Sequence, residues 1–153
     1  MENFLLQREL TISCSRTERG KHMQLGIRLH DIKKAPLEER LAIAKEQGFL
    51  CGHLALSKVI TEYPVDDGAL TPGYAMYLKK IFAKNDLDIA VLGCYLNLAN
   101  PDEGQLAKIT HRYLAHIRFA SLLGVGVVGT ETGAVNEEYK YEPANHSDEA
   151  LQC

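Results

Sequence analysis

Residues 87–95 read LDIAVLGCY, and all of them except Asp88 and Gly93 are apolar. A short apolar run between polar segments is typical of a strand in a parallel sheet, where helices or neighbouring strands bury both faces. The run ends in a polar, proline-containing stretch, residues 96–101. We therefore predict a central parallel strand at residues 87–95, followed by a loop.

A helix is predicted immediately before this strand. Thr71 precedes Pro72, and this pair is typical of a helix start because the hydroxyl caps the first turn and proline fits the first helical position. Apolar residues then recur at helical spacing as far as Phe82. The pattern predicts a helix that begins at Pro72 and ends before Asn85.

A second strand is predicted upstream of that helix. Residues 49–56, FLCGHLAL, form another short apolar run, and residues 57–70 are polar and rich in turn formers. The pattern predicts a strand followed by a loop.

A helix and a strand are predicted at the start of the regular pattern. Pro36 is followed by acidic residues that favour a first helical turn, and Gly48 is placed to end the helix near Gln47. Before it, apolar and other residues alternate over residues 24–29 until His30 breaks the pattern. We expect a first strand there.

The chain downstream of residue 101 repeats the pattern. Apolar residues at helical spacing follow Asp102 and predict a long helix that finishes near Leu123. Residues 125–128, VGVV, predict a fourth strand, and the remaining segment is polar until a new helix is expected around Ser147.

Strict alternation of strands and helices predicts the α/β class with parallel strands. The chain could form an open doubly wound sheet or part of a barrel, and its length of 153 residues favours the open sheet. The loop after the first strand lacks a glycine-rich phosphate-binding pattern, which weakens a nucleotide-binding sheet. Four units fill about half of a typical barrel, so we predict a partial (β/α)8 TIM barrel with about four parallel strands and three to four helices.

One domain boundary is expected, between residues 22 and 23. Residues 1–22 show no sustained periodicity and are interpreted as an N-terminal extension, with Met23 as an alternative start of translation. Residues 23–153 are interpreted as the N-terminal half of a barrel domain, which stops before the barrel closes.

Composition excludes some classes of function. The net charge is −3 and the basic residues are dispersed, which gives no support for nucleic-acid binding. No apolar run is long enough to span a bilayer and no secretion signal is recognisable, so a cytoplasmic protein is expected. The four cysteines are far apart and predict buried thiols in a reducing compartment: Cys14, Cys51, Cys94 and Cys153.

Polar residues follow each predicted strand, and functional groups of parallel α/β folds gather at those carboxyl ends. The candidates are His30 and Asp31, Ser57 and Lys58, Tyr95 and Asn97, and Glu131 and Thr132. Glu131 is the strongest candidate, because Gly129 and Gly133 flank it and let the backbone approach a ligand closely. Its carboxylate could accept hydrogen bonds from sugar hydroxyls or act as a base, or it could simply cap its own loop.

The other histidines favour structural interpretations. His53 lies inside an apolar run and is interpreted as a core histidine or one that faces a barrel interior. His111 and His116 are five residues apart, which places them on different sides of a helix and excludes the zinc-binding motif that needs a spacing of four.

Three segments carry a family resemblance. LGCYLNLANPD at residues 92–102, the helix end ASLLGVGVV at 120–128 and GTETG at 129–133 resemble sugar phosphate isomerase/epimerase proteins. These belong to the xylose-isomerase-like TIM barrel superfamily, which also contains the family-two apurinic endonucleases. The resemblance covers about residues 23–150, with GIRLHD as the first strand.

The resemblance implies a barrel that binds a divalent metal, manganese or zinc, and interconverts ketoses, aldoses or their epimers. In that family the main metal ligands lie on strands beyond the fourth, so no metal ligand is assigned here and activity of this chain by itself is doubtful. Asn100 stands where relatives commonly carry a histidine. The resemblance carries over Glu131 as the catalytic candidate, with His30, Tyr95, Asn97 and Thr132 as substrate-binding residues.

Alternative functions remain open. A non-catalytic sugar-binding or interaction protein and a family-two apurinic endonuclease are the two alternatives to an isomerase or epimerase. The expected partner is a sugar or sugar phosphate, without nucleic acid or membrane. Exposed sheet edges of a half barrel also predict a homo-oligomer.

Overall fold

The computed structural model describes residues 23–150. The predicted extension at residues 1–22 lies outside the described residues, as do residues 151–153. The described chain contains a parallel four-stranded sheet and four α-helices, which confirms the predicted α/β class. The strands are β1 (Gly26–Arg28), β2 (Cys51–Ala55), β3 (Asp88–Gly93) and β4 (Val128–Gly129), and the helices are α1 (Leu37–Glu46), α2 (Leu56–Val59), α3 (Pro72–Lys84) and α4 (Glu103–Leu123).

The strand order in the sheet is the order in sequence, β1-β2-β3-β4, and all three pairings are parallel. The register between β2 and β3 contains a β-bulge. Gly52 is opposite Ile89, but His53 is opposite Val91, so Ala90 is the extra residue. The bulge lets Ile89 and Leu92, three residues apart, both face the helices.

The helices form one layer. Lys84 of α3 lies 3.4 Å from the carboxylate of Glu38 of α1, and Tyr74 of α3 stacks on Phe119 of α4 with ring centroids 5.7 Å apart. The buried side chains of these helices and of the strands make one continuous core. The helices therefore cover one face of the sheet, while Asp88 and Ala90 of β3 are exposed on the other.

Local sequence explains the ends of the helices. The Thr71 hydroxyl accepts a hydrogen bond from the backbone N–H of Tyr74 at 3.2 Å, as the predicted cap requires. A carboxylate oxygen of Asp102 accepts one from the N–H of Gln105 at 2.6 Å at the start of α4. Gly124 ends α4 at a φ of 76°, a left-handed conformation that glycine adopts without strain.

Several boundaries differ from the predictions. β1 ends at Arg28 because Leu29–Asp31 turns into a 3₁₀ helix, and the predicted loop after β2 begins with α2. The fourth strand pairs at Val128–Gly129 instead of over residues 125–128. Around Ser147 the chain follows a 3₁₀ turn, Pro143–His146, with no α-helix before residue 150.

Two predictions from composition concern thiols and membranes. Cys51 and Cys94 are free and buried, as predicted, and burial raises the pKa of the Cys94 thiol to about 11. Cys14 and Cys153 lie outside the described residues. Within residues 23–150, no helix has the length and apolar character needed to cross a membrane.

Candidate functional site

Side chains from three successive strands meet near the carboxyl edge of the sheet: His30 follows β1, His53 is the middle residue of β2, and Tyr95 follows β3. The hydroxyl of Tyr95 lies 2.9 Å from Nε2 of His53, and the His53 ring packs edge-on against His30 with centroids 5.4 Å apart. The ammonium of Lys58, on α2, lies 4.1 Å from the centre of the Tyr95 ring. We call these four residues, His30, His53, Tyr95 and Lys58, the His–Tyr cluster.

Gly93 makes the close approach of His53 and Tyr95 sterically feasible. A Cβ atom at position 93 would overlap Nε2 of His53 and would lie 3.0 Å from a ring carbon of Tyr95. The glycine therefore leaves the space that the imidazole occupies. His53 and Tyr95 can then form their hydrogen bond above β3.

Arg40 fixes the turn that carries His30. Its side chain is 2% exposed, and its guanidinium donates to the backbone carbonyls of Ala35 at 2.7 Å, Leu29 at 3.1 Å and Ile32 at 3.4 Å. These carbonyls flank or belong to the 3₁₀ turn after β1. A buried cation thus orders the loop on which the imidazole of His30 sits.

The electrostatic environment keeps both imidazoles neutral. Burial lowers the pKa of His30 and of His53 below the ordinary value of 6.5, and the nearby cations Arg28 and Lys58 add to this effect, while the Asp31 carboxylate opposes it. Arg28 is itself paired with Asp31 at 2.7 Å. Among the described residues, Nδ1 of His30 is buried and has no hydrogen-bond partner. The hydrogen-bonding capacity of this buried nitrogen is therefore not met by any of the described residues.

Glu131 follows β4 at the register position next to Tyr95. Gly93 of β3 pairs with Gly129 of β4, and Tyr95 and Glu131 each come two residues later. Glu131 is exposed, and one of its oxygens, Oε2, accepts a hydrogen bond from the Tyr139 hydroxyl at 2.6 Å. Thr132 is also exposed.

Asn97 braces a loop. It is 5% exposed, its Oδ1 accepts a hydrogen bond from Ala134 N–H at 2.8 Å, and its Nδ2 donates to the Asn136 carbonyl at 2.9 Å. Both ends of the amide are engaged with the segment that follows β4. Gly133 has a φ of 98°, and a Cβ atom at this position would lie only 2.7 Å from Oδ1 of Asn97. In this arrangement Asn97 positions the loop that carries Glu131.

The predicted residues thus divide into three groups. His30 and Tyr95 come together, joined by His53, which the sequence favoured as structural, and by Lys58. Glu131 follows β4 and contacts Tyr139, whereas Asn97 is buried and holds the loop after β4, and Thr132 is exposed. The sequence did not identify three further residues: Gly93, Arg40 and Tyr139. The contacts of Gly93 and Arg40 join residues that are distant in the chain. Tyr139 lies in a segment that the sequence shows only as polar.

The two helical histidines and Asn100 have local roles. His116 is buried, and its Nδ1 lies 2.9 Å from the Arg112 carbonyl one turn earlier, while His111 is exposed. They lie on different sides of α4, as their spacing predicts. Asn100 accepts a hydrogen bond from the N–H of Asp102 and shapes the turn before α4.

The described residues do not assemble a metal centre. Nε2 of His30 and Oδ1 of Asp31 are 4.0 Å apart, but within residues 23–150 no group of three or more histidine, cysteine or acidic side chains is arranged to hold an ion.

No family model matches the chain, and no curated protein matches it either.

Proposed function

We propose that the chain folds as four consecutive units of a (β/α)8 barrel. The sequential strand order and the single helical layer support this, because an open doubly wound sheet reverses its strand order and carries helices on both faces. In a barrel the face left open by the helices becomes the interior. The His–Tyr cluster then lies at the end of the barrel where such enzymes bind their substrates.

We propose further that the chain is a sugar isomerase- or epimerase-like protein that binds a sugar or sugar phosphate at this edge. The observation that carries the proposal is the convergence of His30, His53 and Tyr95 from three successive strands, with Glu131 just after the fourth. Neutral imidazoles, a phenol and a carboxylate supply both donors and acceptors for hydroxyl groups. Lys58 adds a positive charge suited to a phosphate.

The chemistry we propose is proton transfer next to a carbonyl. Glu131 removes a proton from the carbon beside the ketose carbonyl while the His53–Tyr95 pair gives a proton to the carbonyl oxygen, which yields an enediol. Return of the proton to the former carbonyl carbon, with loss of the neighbouring hydroxyl proton, gives the aldose. When the proton is taken from C3, its return to the opposite face of C3, with the proton on the former carbonyl oxygen passing back to the His53–Tyr95 pair, gives the epimer. No step is assigned to a metal, because the described residues do not provide its ligands.

Proton exchange in heavy water tests this proposal. The chain is incubated with D-xylulose, and NMR follows deuterium entering the sugar at C1, which reports isomerisation, or at C3, which reports epimerisation. The imidazole signals of His30 and His53 are recorded in parallel to report binding. We expect those signals to shift with the sugar, and we expect Glu131→Gln to abolish exchange while binding persists.

Glu138→Gln is the matched control, because Glu138 is an exposed acid of the same segment that pairs with Lys140. It should exchange deuterium as the wild type does. Histidine shifts without exchange would contradict the catalytic role and favour the sugar-binding alternative. Unchanged histidine signals with both D-xylulose and D-xylulose 5-phosphate would overturn the site itself.

A further inference from the structure

Tyr139 has a backbone conformation that aromatic residues rarely adopt. Its φ is 54°, in the left-handed region where a bulky side chain is strained. The side chain of Asn136 holds the turn: its Oδ1 accepts a hydrogen bond from Lys140 N–H at 2.9 Å, and its Nδ2 donates to the Lys140 carbonyl at 2.7 Å. The surrounding contacts therefore enforce the unusual conformation.

This conformation directs the Tyr139 ring towards Glu131. The phenol donates to Oε2 of Glu131 at 2.6 Å, and the ring keeps 37% of its surface exposed. Burial and the carboxylate raise the pKa of Tyr139 to about 12, so the hydroxyl remains a donor at neutral pH. Among the described residues, the other oxygen, Oε1, accepts no hydrogen bond and is open to a ligand.

A ring beside an accessible carboxylate matches the chemistry of a sugar. A pyranose has a face of C–H groups that packs on an aromatic ring and an edge of hydroxyls that donate to carboxylates. We propose that Tyr139 is a further ligand-binding residue of this site. Its ring packs on the C–H face of the sugar, and its hydroxyl orients Glu131 so that Oε1 faces the ligand. This inference rests on the proposed function.

A merely structural role for Tyr139 makes a different prediction. If the residue served to close its own turn, glycine would serve as well, because glycine adopts a positive φ without strain. Tyr139→Gly therefore preserves the backbone and removes the ring, and Tyr139→Phe preserves the ring and removes the hydroxyl. Together the two variants distinguish packing of the sugar on the ring from orientation of Glu131 by the hydroxyl.

Saturation-transfer NMR with D-xylose as the probe tests the inference. Saturating aromatic protons of the wild type should transfer magnetisation to the C–H protons of the sugar. Tyr139→Gly should lose most of this transfer and bind about five- to tenfold more weakly, whereas Tyr139→Phe should keep it. Tyr141→Ala, two positions away with a ring that is 79% exposed, is the control and should behave as the wild type does.

The outcomes separate this inference from the proposal on which it rests. Xylose could bind the wild type and Tyr139→Gly with equal affinity and equal saturation transfer while still shifting the His30 and His53 signals. That result would overturn the role of Tyr139 and leave the site intact. Absence of both transfer and histidine shifts in the wild type would overturn the proposed function and Tyr139 with it.

Discussion

At the scale of single residues, the candidate site depends on small side chains as much as on reactive ones. Gly93 leaves room for the imidazole of His53, and Gly133 lets the segment after β4 pack against Asn97. Neither glycine touches a ligand in the proposed chemistry. Both determine where the reactive groups of the neighbouring strands can be placed.

Gly93→Ala should break the His53–Tyr95 hydrogen bond, because the new methyl group overlaps the imidazole. We expect overpacking to destabilise the fold by about 1–3 kcal/mol in urea denaturation, and the His53 NMR signals to shift. Gly126→Ala is the matched control, since a Cβ there meets no atom within 4 Å. Unchanged stability and unchanged His53 signals in Gly93→Ala would refute the packing argument.

Stability should fall in mild acid because of buried histidines. The pKa values of His30, His53 and His116 are lowered by burial, so the unfolded chain takes up protons before the folded chain does. Their contribution is fully present above the unfolded value of 6.5 and is lost as the pH falls through the folded values.

We therefore expect Tm to drop as the pH falls below 6.5. His53→Gln should make this drop smaller, while His111→Gln, on an exposed position of α4, removes a histidine without touching a buried ring and should leave it unchanged. Thermal melts across this range provide the measurement. Identical pH profiles for His53→Gln and the wild type would contradict the assignment.

At the scale of secondary structure, three of the strands are followed by different local structures, each of which places a functional side chain. β1 continues into a 3₁₀ turn held by Arg40, β2 passes directly into α2 with Lys58, and β4 leads into a loop anchored by Asn97. Arg40 lies on α1 and Asn97 follows β3, so the turns after β1 and β4 are each held by a side chain from another element.

Arg40→Met should loosen the turn that carries His30. The substitution leaves the carbonyls of Leu29 and Ile32 buried without their donor, and we expect a loss of about 2–3 kcal/mol in the free energy of unfolding. Urea denaturation measures this loss. Arg118→Met, at an exposed position on α4, should change stability little. A comparable loss in both variants would show that the carbonyl contacts are not the cause.

At the scale of the whole molecule, helices cover one face of the sheet, and among residues 23–150 no strand pairs with its two outer edges. Within residues 23–150, β1 pairs with β2 alone and β4 with β3 alone, so each outer strand presents unpaired backbone groups. Val127, next to β4, is 53% exposed, and Leu25, next to β1, is 67% exposed. Such edges favour pairing with another strand, which supports the proposed homo-oligomer.

Val127→Lys should reduce self-association, because a charge beside the β4 edge opposes strand pairing. Light scattering over a range of concentrations should show the wild type as larger than its 17.0 kDa monomer and the variant closer to it. Lys108→Ala, at an exposed position on α4, serves as the control for surface substitution. A monomeric wild type at every concentration would contradict the proposal.

The sequence by itself determined the order and type of the main elements, because helix caps and hydrophobic periodicity are local signals. Thr71 and Asp102 cap helices where the pattern predicts them, and residues 87–95 contain β3. It also indicated His30, Tyr95 and Glu131 as strand-end residues. Local signals were weaker at the ends of β1 and β4. The turn after β1 depends on Arg40, and the extent of β4 depends on its pairing with β3.

Tertiary structure decided which of these residues meet. The bulge at Ala90 breaks the two-residue period, so alternation could not reveal that Val91 lies opposite His53. Contacts such as His53 with Tyr95, or Tyr139 with Glu131, join side chains whose positions depend on register and on turns elsewhere in the chain. The alternation of strands and helices along the chain therefore specified a parallel α/β sheet. Packing between distant segments specified the site at the carboxyl edge of that sheet.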